Sequence, residues 1–237
     1  MKKGCLDNPV EIGGLTPLTT IDYPGELAAV LFLQGCPWRC GYCHNQELMP
    51  RRSQFAIPWS RVIELLEQRV GLLDAVVFSG GEPTLQAGLE EAMHRVKSLG
   101  FKIGLHTAGI YPERLQAVLP LVDWIGMDIK STRAEYEATT GVRGSGARAW
   151  RSAELIVDSG VACEFRTTLH PDMLSQEQLV ALASELSESG ATSYVVQKCN
   201  TVHCRDEACQ LVSQPAPDRQ FFAQIAEKFD DFSLRNY

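Results

Sequence analysis

The chain has 237 residues, 45% hydrophobic and 22% charged, which is ordinary for a globular protein and enough to bury a substantial core in one large α/β domain. Twenty-two basic and 29 acidic residues give a net charge of −7, which argues against a nucleic-acid partner. No apolar run reaches the about 18 residues of a membrane span, and the N-terminal stretch lacks the apolar core of a signal peptide. The chain is therefore expected in the cytoplasm, where its eight cysteines read as thiols or metal ligands rather than disulfides.

In chain order, residues 28–33 read as a short buried strand. Residues 60–70 read as a helix with Ser60 as N-cap and Val62, Ile63, Leu65, Leu66 and Val70 inward. A strand at 75–78 precedes a helix over 83–98, with Pro83 suited to its first position. A strand at 102–106, a helix at 111–118 and a strand at 124–129 follow, then a looser helix ending near Gly160. The fifth strand is 163–169. Ser175-Gln-Glu-Gln178 has the form of a capping box, opening a helix with Leu179, Leu182 and Leu186 on one face. A sixth strand at 193–197 and a helix at 218–229 complete the chain.

Strands alternating with helices argue for parallel βα units. Six of them predict a partial TIM-type barrel, with a doubly wound open sheet as the alternative. The expected organisation is a single domain over 1–237, with an N-terminal extension to about residue 26 and a cysteine loop at 34–46.

That loop holds Cys36, Cys40 and Cys43 in Cys-Pro-Trp-Arg-Cys-Gly-Tyr-Cys, three thiols within eight residues. A 4Fe-4S cube usually takes four thiolates, so three leave one iron open to a chelating small molecule. An open position is what separates catalytic from structural zinc sites, by analogy. The competing reading is a zinc site completed by His44 or a distant cysteine, but zinc sites more often pair two hooks and only one is clear here.

The predicted strand ends also carry polar groups, and barrel enzymes place their chemistry at the C-terminal ends of strands. The first runs into Cys36, the second into Ser79-Gly80-Gly81-Glu82-Pro83, and the third ends in His106-Thr107. The fourth ends in Asp128-Ile129-Lys130, the fifth carries Glu164 and Arg166, and the sixth ends in Gln197-Lys198. Together they read as one rim facing one cavity. Paired glycines permit positive φ and close approach of a ligand, or simply a strand-to-helix turn. Asp128 and Lys130, two apart on a strand, point the same way; an inward lysine needs an anion, either a ligand carboxylate or Asp128 itself. Arg166 either binds a carboxylate or neutralises Glu164. Cys199, Cys204 and Cys209 have an x4 spacing unlike a usual metal pattern, and read as a surface thiol loop or an auxiliary cluster. Cys163 reads as core and Cys5 as isolated.

The cysteine loop, with Tyr42 before its last cysteine, resembles the C-x3-C-x-aromatic-C motif of the radical S-adenosylmethionine (SAM) enzymes. The resemblance implies one 4Fe-4S cluster on Cys36, Cys40 and Cys43 whose open iron binds SAM. An electron from the cluster splits SAM to methionine and a 5'-deoxyadenosyl radical, which abstracts a hydrogen atom. By the same resemblance Tyr42 and His44 lie beside the adenine. Gly80, Gly81 and Glu82 match a Gly-Gly-Glu-Pro motif that meets the methionine amino group. Asp128 and Lys130 match an Asp-x-Lys that reaches SAM or a nearby ion, and Thr107 and Arg166 are further candidates for cofactor contact. His106 stands where some members have an aspartate that helps hold a monovalent cation.

Thr20-Ile-Asp-Tyr-Pro-Gly, Ala29-Val-Leu-Phe-Leu-Gln-Gly-Cys and Cys43-His-Asn resemble the anaerobic ribonucleoside-triphosphate reductase activating proteins, relatives of the pyruvate formate-lyase activating enzymes. This implies an oxidoreductase that places a glycyl radical on a large partner, with anaerobic ribonucleotide reductase favoured over a pyruvate formate-lyase-type enzyme. A flavodoxin or ferredoxin is implied as electron donor; Arg39, Arg51 and Arg52, close in sequence to the cysteine loop, read either as a docking patch for it or as a solvated basic face. The other readings are a small-molecule enzyme of the carboxy-deazaguanine synthase type and a non-catalytic zinc module.

Overall fold

The computed structural model describes residues 8–236, so Cys5 lies outside the described residues. Its strands are β1 (Ile12–Thr19), β2 (Ala28–Leu33), β3 (Ala75–Gly80), β4 (Lys102–Thr107), β5 (Trp124–Asp128), β6 (Ala162–Leu169), β7 (Ser193–Lys198) and β8 (Asp231–Arg235). Its α-helices are α1 (Trp59–Glu67), α2 (Leu89–Ser98), α3 (Pro112–Val118), α4 (Tyr136–Thr140), α5 (Ser145–Ser159), α6 (Gln176–Glu188) and α7 (Ala223–Ala226). The strands follow chain order in one eight-stranded sheet with β1 and β8 at its ends. This is the α/β, parallel-dominated partial-barrel class expected from the alternation of strands and helices. The chain forms two compact units, one from the residues up to Pro37 with Glu47–Ile125, the other from Trp38–Gln46 with Gly126 onward.

In the first unit, β2 pairs in parallel with β3, and β3 with β4. Ala28–Leu31 and Ala75–Phe78 are continuous buried runs, the pattern of parallel strands covered on both faces. Ala28, Val30, Ala75 and Val77 pack with Tyr23 and Trp124 in one cluster. Burying side chains of this size contributes about 1.5–3 kcal/mol for each larger one.

Three expectations are corrected here. Residues 12–19 form β1, antiparallel to β2, where only an extension was expected. Helix α1 begins at Trp59 after Pro58, not at a Ser60 cap, so its buried face is Trp59, Val62 and Leu66, and Val70 lies exposed beyond its end. The helix expected from Pro83 is broken. Pro83–Leu85 is a single 3-10 turn capped by Glu82, and α2 starts only after Gly88, where a Cβ would overlap the Pro9 carbonyl.

In the second unit, β6, β7 and β8 pair in parallel. Helix α5 ends at Gly160, whose φ of 69° suits a left-handed cap. Helix α6 carries the predicted capping box: Gln178 N donates to Ser175 Oγ at 3.2 Å and Ser175 N to Gln178 Oε1 at 2.6 Å. The expected final helix reduces to one turn, α7, because its apolar residues are spent on Phe222 and Ile225 before the chain turns into β8.

Candidate functional site

Each unit brings part of the predicted rim together. In the first, β2 leads into Gly35-Cys36, and β3 ends at Gly80 and leads into Gly81-Glu82. Gly81 N donates to Leu33 O at 2.9 Å and Glu82 N to Gly35 O at 2.8 Å. Gly35 N and Cys36 N donate in turn to Leu48 O and Met49 O at 2.7 and 3.0 Å. Gly80 has φ of 118°, a region side chains avoid, and a Cβ there would overlap the Leu33 backbone; one on Gly81 would overlap Gly35 O. The glycine pair thus lets the backbone leading into Cys36 lie directly on the end of β3.

Glu82 is fully buried, and four donors converge on its carboxylate. Oε1 accepts from Thr84 N at 3.0 Å, Thr84 Oγ1 at 2.5 Å and Thr107 Oγ1 at 2.7 Å, and Oε2 from Ala108 N at 2.9 Å. Burial raises its pKa above the usual carboxylate value, against the lowering effect of those donors, Thr84 and Thr107 first. Thr107 Oγ1 also accepts from Gly109 N at 3.0 Å, so it is part of this web. His106 Nε2 lies 2.8 Å from the Asp22 carbonyl and must carry the proton, leaving Nδ1 to accept from Ser79 Oγ at 3.3 Å. Its ring meets Trp124 edge-on. Both ring nitrogens of His106 thus have partners.

The second unit holds Cys40 and Cys43. Cys43 N donates to Cys40 O at 3.2 Å, Arg39 N to Thr140 O at 2.8 Å, and Asp206 N to Gly41 O at 3.0 Å. Lys130, only 11% exposed in its side chain, pairs with Asp128 Oδ2 at 3.0 Å and stands 5.6 Å from the Tyr42 ring centre. Burial opposes its charge, but Asp128 and the neighbouring Tyr42 and Cys40 outweigh this and hold the ammonium well above the usual lysine value. Tyr136, which sequence reasoning missed, accepts from Lys130 N through its hydroxyl at 3.1 Å and packs edge-on against Trp38. Its aromatic character within a short helix gave no signal of this role.

Arg166 Nε donates to Glu164 Oε1 at 2.5 Å, and Arg235 bonds the same carboxylate at 2.9 Å. The neutralising reading of Arg166 is therefore present, with its guanidinium laid against Gly126. His44, expected beside the adenine, turns Nε2 toward Cys199 Sγ at 3.7 Å. Cys199, Cys204 and Cys209 are buried, which corrects the surface-loop reading: Thr201–His203 form a 3-10 turn that folds Cys204 back on Cys199. Cys163 is half-buried.

Cys36, Cys40 and Cys43 form no disulfide among the described residues and offer thiols, the soft donors iron–sulfur clusters take. On the same loop the Trp38 Nε1 and Tyr42 hydroxyl are buried without hydrogen-bond partners among the described residues, as a site awaiting a ligand would leave them. Burial raises the Cys40 thiol pKa, and Lys130 partly offsets this. The residues fit.

Comparison with known proteins agrees. The family model described as the Radical SAM superfamily matches residues 30–196. The candidate glycyl-radical enzyme activating enzyme MJ1227 of Methanocaldococcus jannaschii is 29% identical over 230 residues, covering 93% of each chain. The pyruvate formate-lyase-activating enzyme of Clostridium pasteurianum is 29% identical over 136 residues, 55% of this chain and 57% of that one. Streptococcus suis SuiB, solved bound to S-adenosylmethionine, shares the fold with a TM-score of 0.64 at 17% identity, over 86% of this chain and 48% of SuiB. The chain thus spans nearly all of MJ1227 but about half of the other two.

Proposed function

This chain belongs to the Radical SAM superfamily, and on that premise we propose that it is a single-domain activating enzyme that installs a glycyl radical on a large anaerobic ribonucleotide reductase. The observation that carries the activating-enzyme reading is the similarity to MJ1227 across 93% of both chains. The reductase is favoured over other glycyl-radical enzymes by the Ile21-Asp-Tyr-Pro-Gly25 stretch, which rests on resemblance. The local match to the Clostridium enzyme favours a pyruvate formate-lyase-type partner as the second reading.

When bound, a 4Fe-4S cluster and SAM supply one-electron cleavage and the radical that removes hydrogen from a glycine. Cys36, Cys40 and Cys43 are assigned as its three thiolate ligands. The Tyr42 ring is assigned to the adenine side, and its unpartnered hydroxyl is free to bond there. Lys130 offers an ammonium kept charged by Asp128. Glu82, with Thr107 and the glycine pair Gly80-Gly81, is assigned to the amino-acid end of SAM. Its four donors are all neutral, which leaves the carboxylate without a cationic partner. Arg166 keeps the Glu164 carboxylate neutralised, and by the same resemblance it is assigned to cofactor contact. The proposed setting is the cytoplasm, with a flavodoxin or ferredoxin as reductant; no helix among the described residues is long and apolar enough to cross a membrane.

The test is electron paramagnetic resonance on an anaerobic mixture of the reconstituted, reduced protein, SAM and the reductase subunit from the same source. A glycyl-radical doublet on the reductase, absent without SAM, is expected. Deoxyadenosine formation without a doublet moves the assignment to the second reading or to a small-molecule substrate.

A further inference from the structure

Outside the three-cysteine motif, a second set of metal-ligating atoms meets within the second unit. A ring nitrogen of His44, Cys199 Sγ and Cys204 Sγ all lie within 4.8 Å of one another. The two sulfurs are 3.6 Å apart and Cys199 Sγ is 3.7 Å from His44 Nε2. These separations can be compared with a bound ion. Zinc–sulfur bonds of about 2.3 Å and zinc–nitrogen bonds of about 2.0–2.1 Å in a tetrahedron hold sulfur–sulfur at about 3.8 Å and sulfur–nitrogen at about 3.6 Å. These two edges agree with such a tetrahedron within about 0.2 Å. A disulfide would need about 2.05 Å, so the sulfurs are not bonded to each other. A second iron–sulfur cube is also disfavoured, because each of its thiolates binds a different iron and cannot approach its neighbour so closely.

We propose that His44, Cys199 and Cys204 form a zinc site, distinct from the Cys36-Cys40-Cys43 set, that fastens the cysteine loop to the segment following β7. Two thiolates and one imidazole are the soft and borderline donors zinc prefers. Two thiolates also cancel the dication, so its burial costs little. Cys199 and Cys204 are 6% and 1% exposed, while His44 is exposed, which gives an entry path at the imidazole edge. No fourth ligating side chain joins the group among the described residues, so the fourth position falls to water.

The segment carrying these cysteines already backs the loop. Asp206 N bonds Gly41 O at 3.0 Å, and a Cβ on Gly41 would stand 2.8 Å from Cys209 Sγ. His170 Nε2 holds the Cys209 carbonyl at 2.9 Å, and Asp172 accepts from Ser213 N and Gln214 N, both at 2.8 Å. Zinc on His44, the residue after Cys43, would complete this attachment at the third cysteine of the motif.

The inference does not rest on the proposed function, and metal analysis separates the two. Protein purified anaerobically with zinc and reductant present should carry one zinc per chain. A Cys36→Ala/Cys40→Ala/Cys43→Ala protein should lose iron yet keep that zinc. Cys199→Ser/Cys204→Ser should lose the zinc, and the surface change His44→Gln, which leaves both buried thiols in place, should weaken zinc at least about tenfold in chelator competition. Cobalt(II) put in place of zinc should show thiolate charge-transfer and tetrahedral d–d bands in the triple-alanine protein, absent from the double-serine protein. The proposal is overturned by absence of zinc from the wild type, by zinc that disappears with the three-alanine change, or by unchanged zinc in Cys199→Ser/Cys204→Ser. Iron of about eight rather than about four per chain would overturn it too, in favour of a second cluster.

Discussion

Glu82 gives the sharpest quantitative test, because one carboxylate ties the 3-10 turn after β3 to the end of β4. Glutamine in its place can keep one oxygen for Thr84 and Thr107, but its amide nitrogen then faces the Ala108 N–H, donor against donor. A buried unsatisfied donor costs about 1–3 kcal/mol. Removing the charge returns part of this, since burial disfavours the ionised form. The net expectation is a loss of about 1–2 kcal/mol, or about 2–8 °C in Tm for a chain of this size. Alanine leaves all four donors without an acceptor and should cost about 3–5 kcal/mol. The sign of the pH effect follows from the raised pKa. The folded state holds the Glu82 proton more tightly than the unfolded state, so this group's contribution falls as pH rises from the unfolded value of 4.5 through the folded pKa. Glutamine lacks that term, so the gap between wild type and Glu82→Gln should narrow from mildly acid to neutral pH. Thermal melts followed by circular dichroism on anaerobically purified protein measure both. Glu82→Gln melting together with wild type throughout, or a gap that widens with pH, refutes the crosslink.

Other changes test other parts of the structure. Cys40→Ala should abolish iron binding and SAM cleavage, measured by iron content and deoxyadenosine; an intact cluster with unaltered activity would contradict the ligand assignment. Gly80→Ala should cost about 3 kcal/mol or more, because strain at φ of 118° adds to overlap with Leu33, whereas Gly100→Ala, at φ of 95° with nothing within 4 Å, should cost only about 1–2 kcal/mol. Equal losses in urea denaturation would contradict the packing role of Gly80. Tyr42→Phe should leave iron-free stability unchanged or raise it by about 1–2 kcal/mol, since the buried hydroxyl has no partner. Burial holds the Tyr42 pKa well above 10.0, so its contribution to stability falls as pH rises above that value, and Tyr42→Phe should unfold at higher alkaline pH. Arg51→Glu/Arg52→Glu should slow flavodoxin-driven cluster reduction at low salt; an unchanged rate would remove these residues from the docking patch.

The sequence reveals some parts of this molecule and hides others for physical reasons. Strand β2 lies where its unbroken apolar run put it, and the Ser175 capping box is a local signal read locally. Strand β1 was missed because Gly13, Gly14 and Pro17 read as turn chemistry, and an edge strand tolerates them. Strand β8 has only five residues, three of them polar, so no apolar run marked it. The site residues were legible by type, but their partners were not. His106 finds its carbonyl on Asp22, 84 residues earlier, and His44 meets Cys199 across 155 residues. No window of sequence holds either pair.

The Gly80-Gly81-Glu82-Pro83 stretch shows how a motif can serve the fold and a ligand together. Gly80 supplies a positive φ, Gly81 the room for Gly35 O, Glu82 the acceptor for four donors and Pro83 the first position of a 3-10 turn. Every residue is thus required by the chain itself, and the support for Cys36 would need them even with no cofactor. The fold does not, however, supply a positive charge for Glu82. Neutral donors leave the carboxylate a net −1 in a buried setting, and its raised pKa registers that deficit. A ligand ammonium would remove it, lowering the Glu82 pKa on binding. By linkage, SAM should then bind more tightly as pH rises through the free-protein pKa of Glu82, and this dependence should vanish in Glu82→Gln. A stability loss without a change in that pH dependence would leave Glu82 as a crosslink alone; both together assign it to the fold and to the ligand.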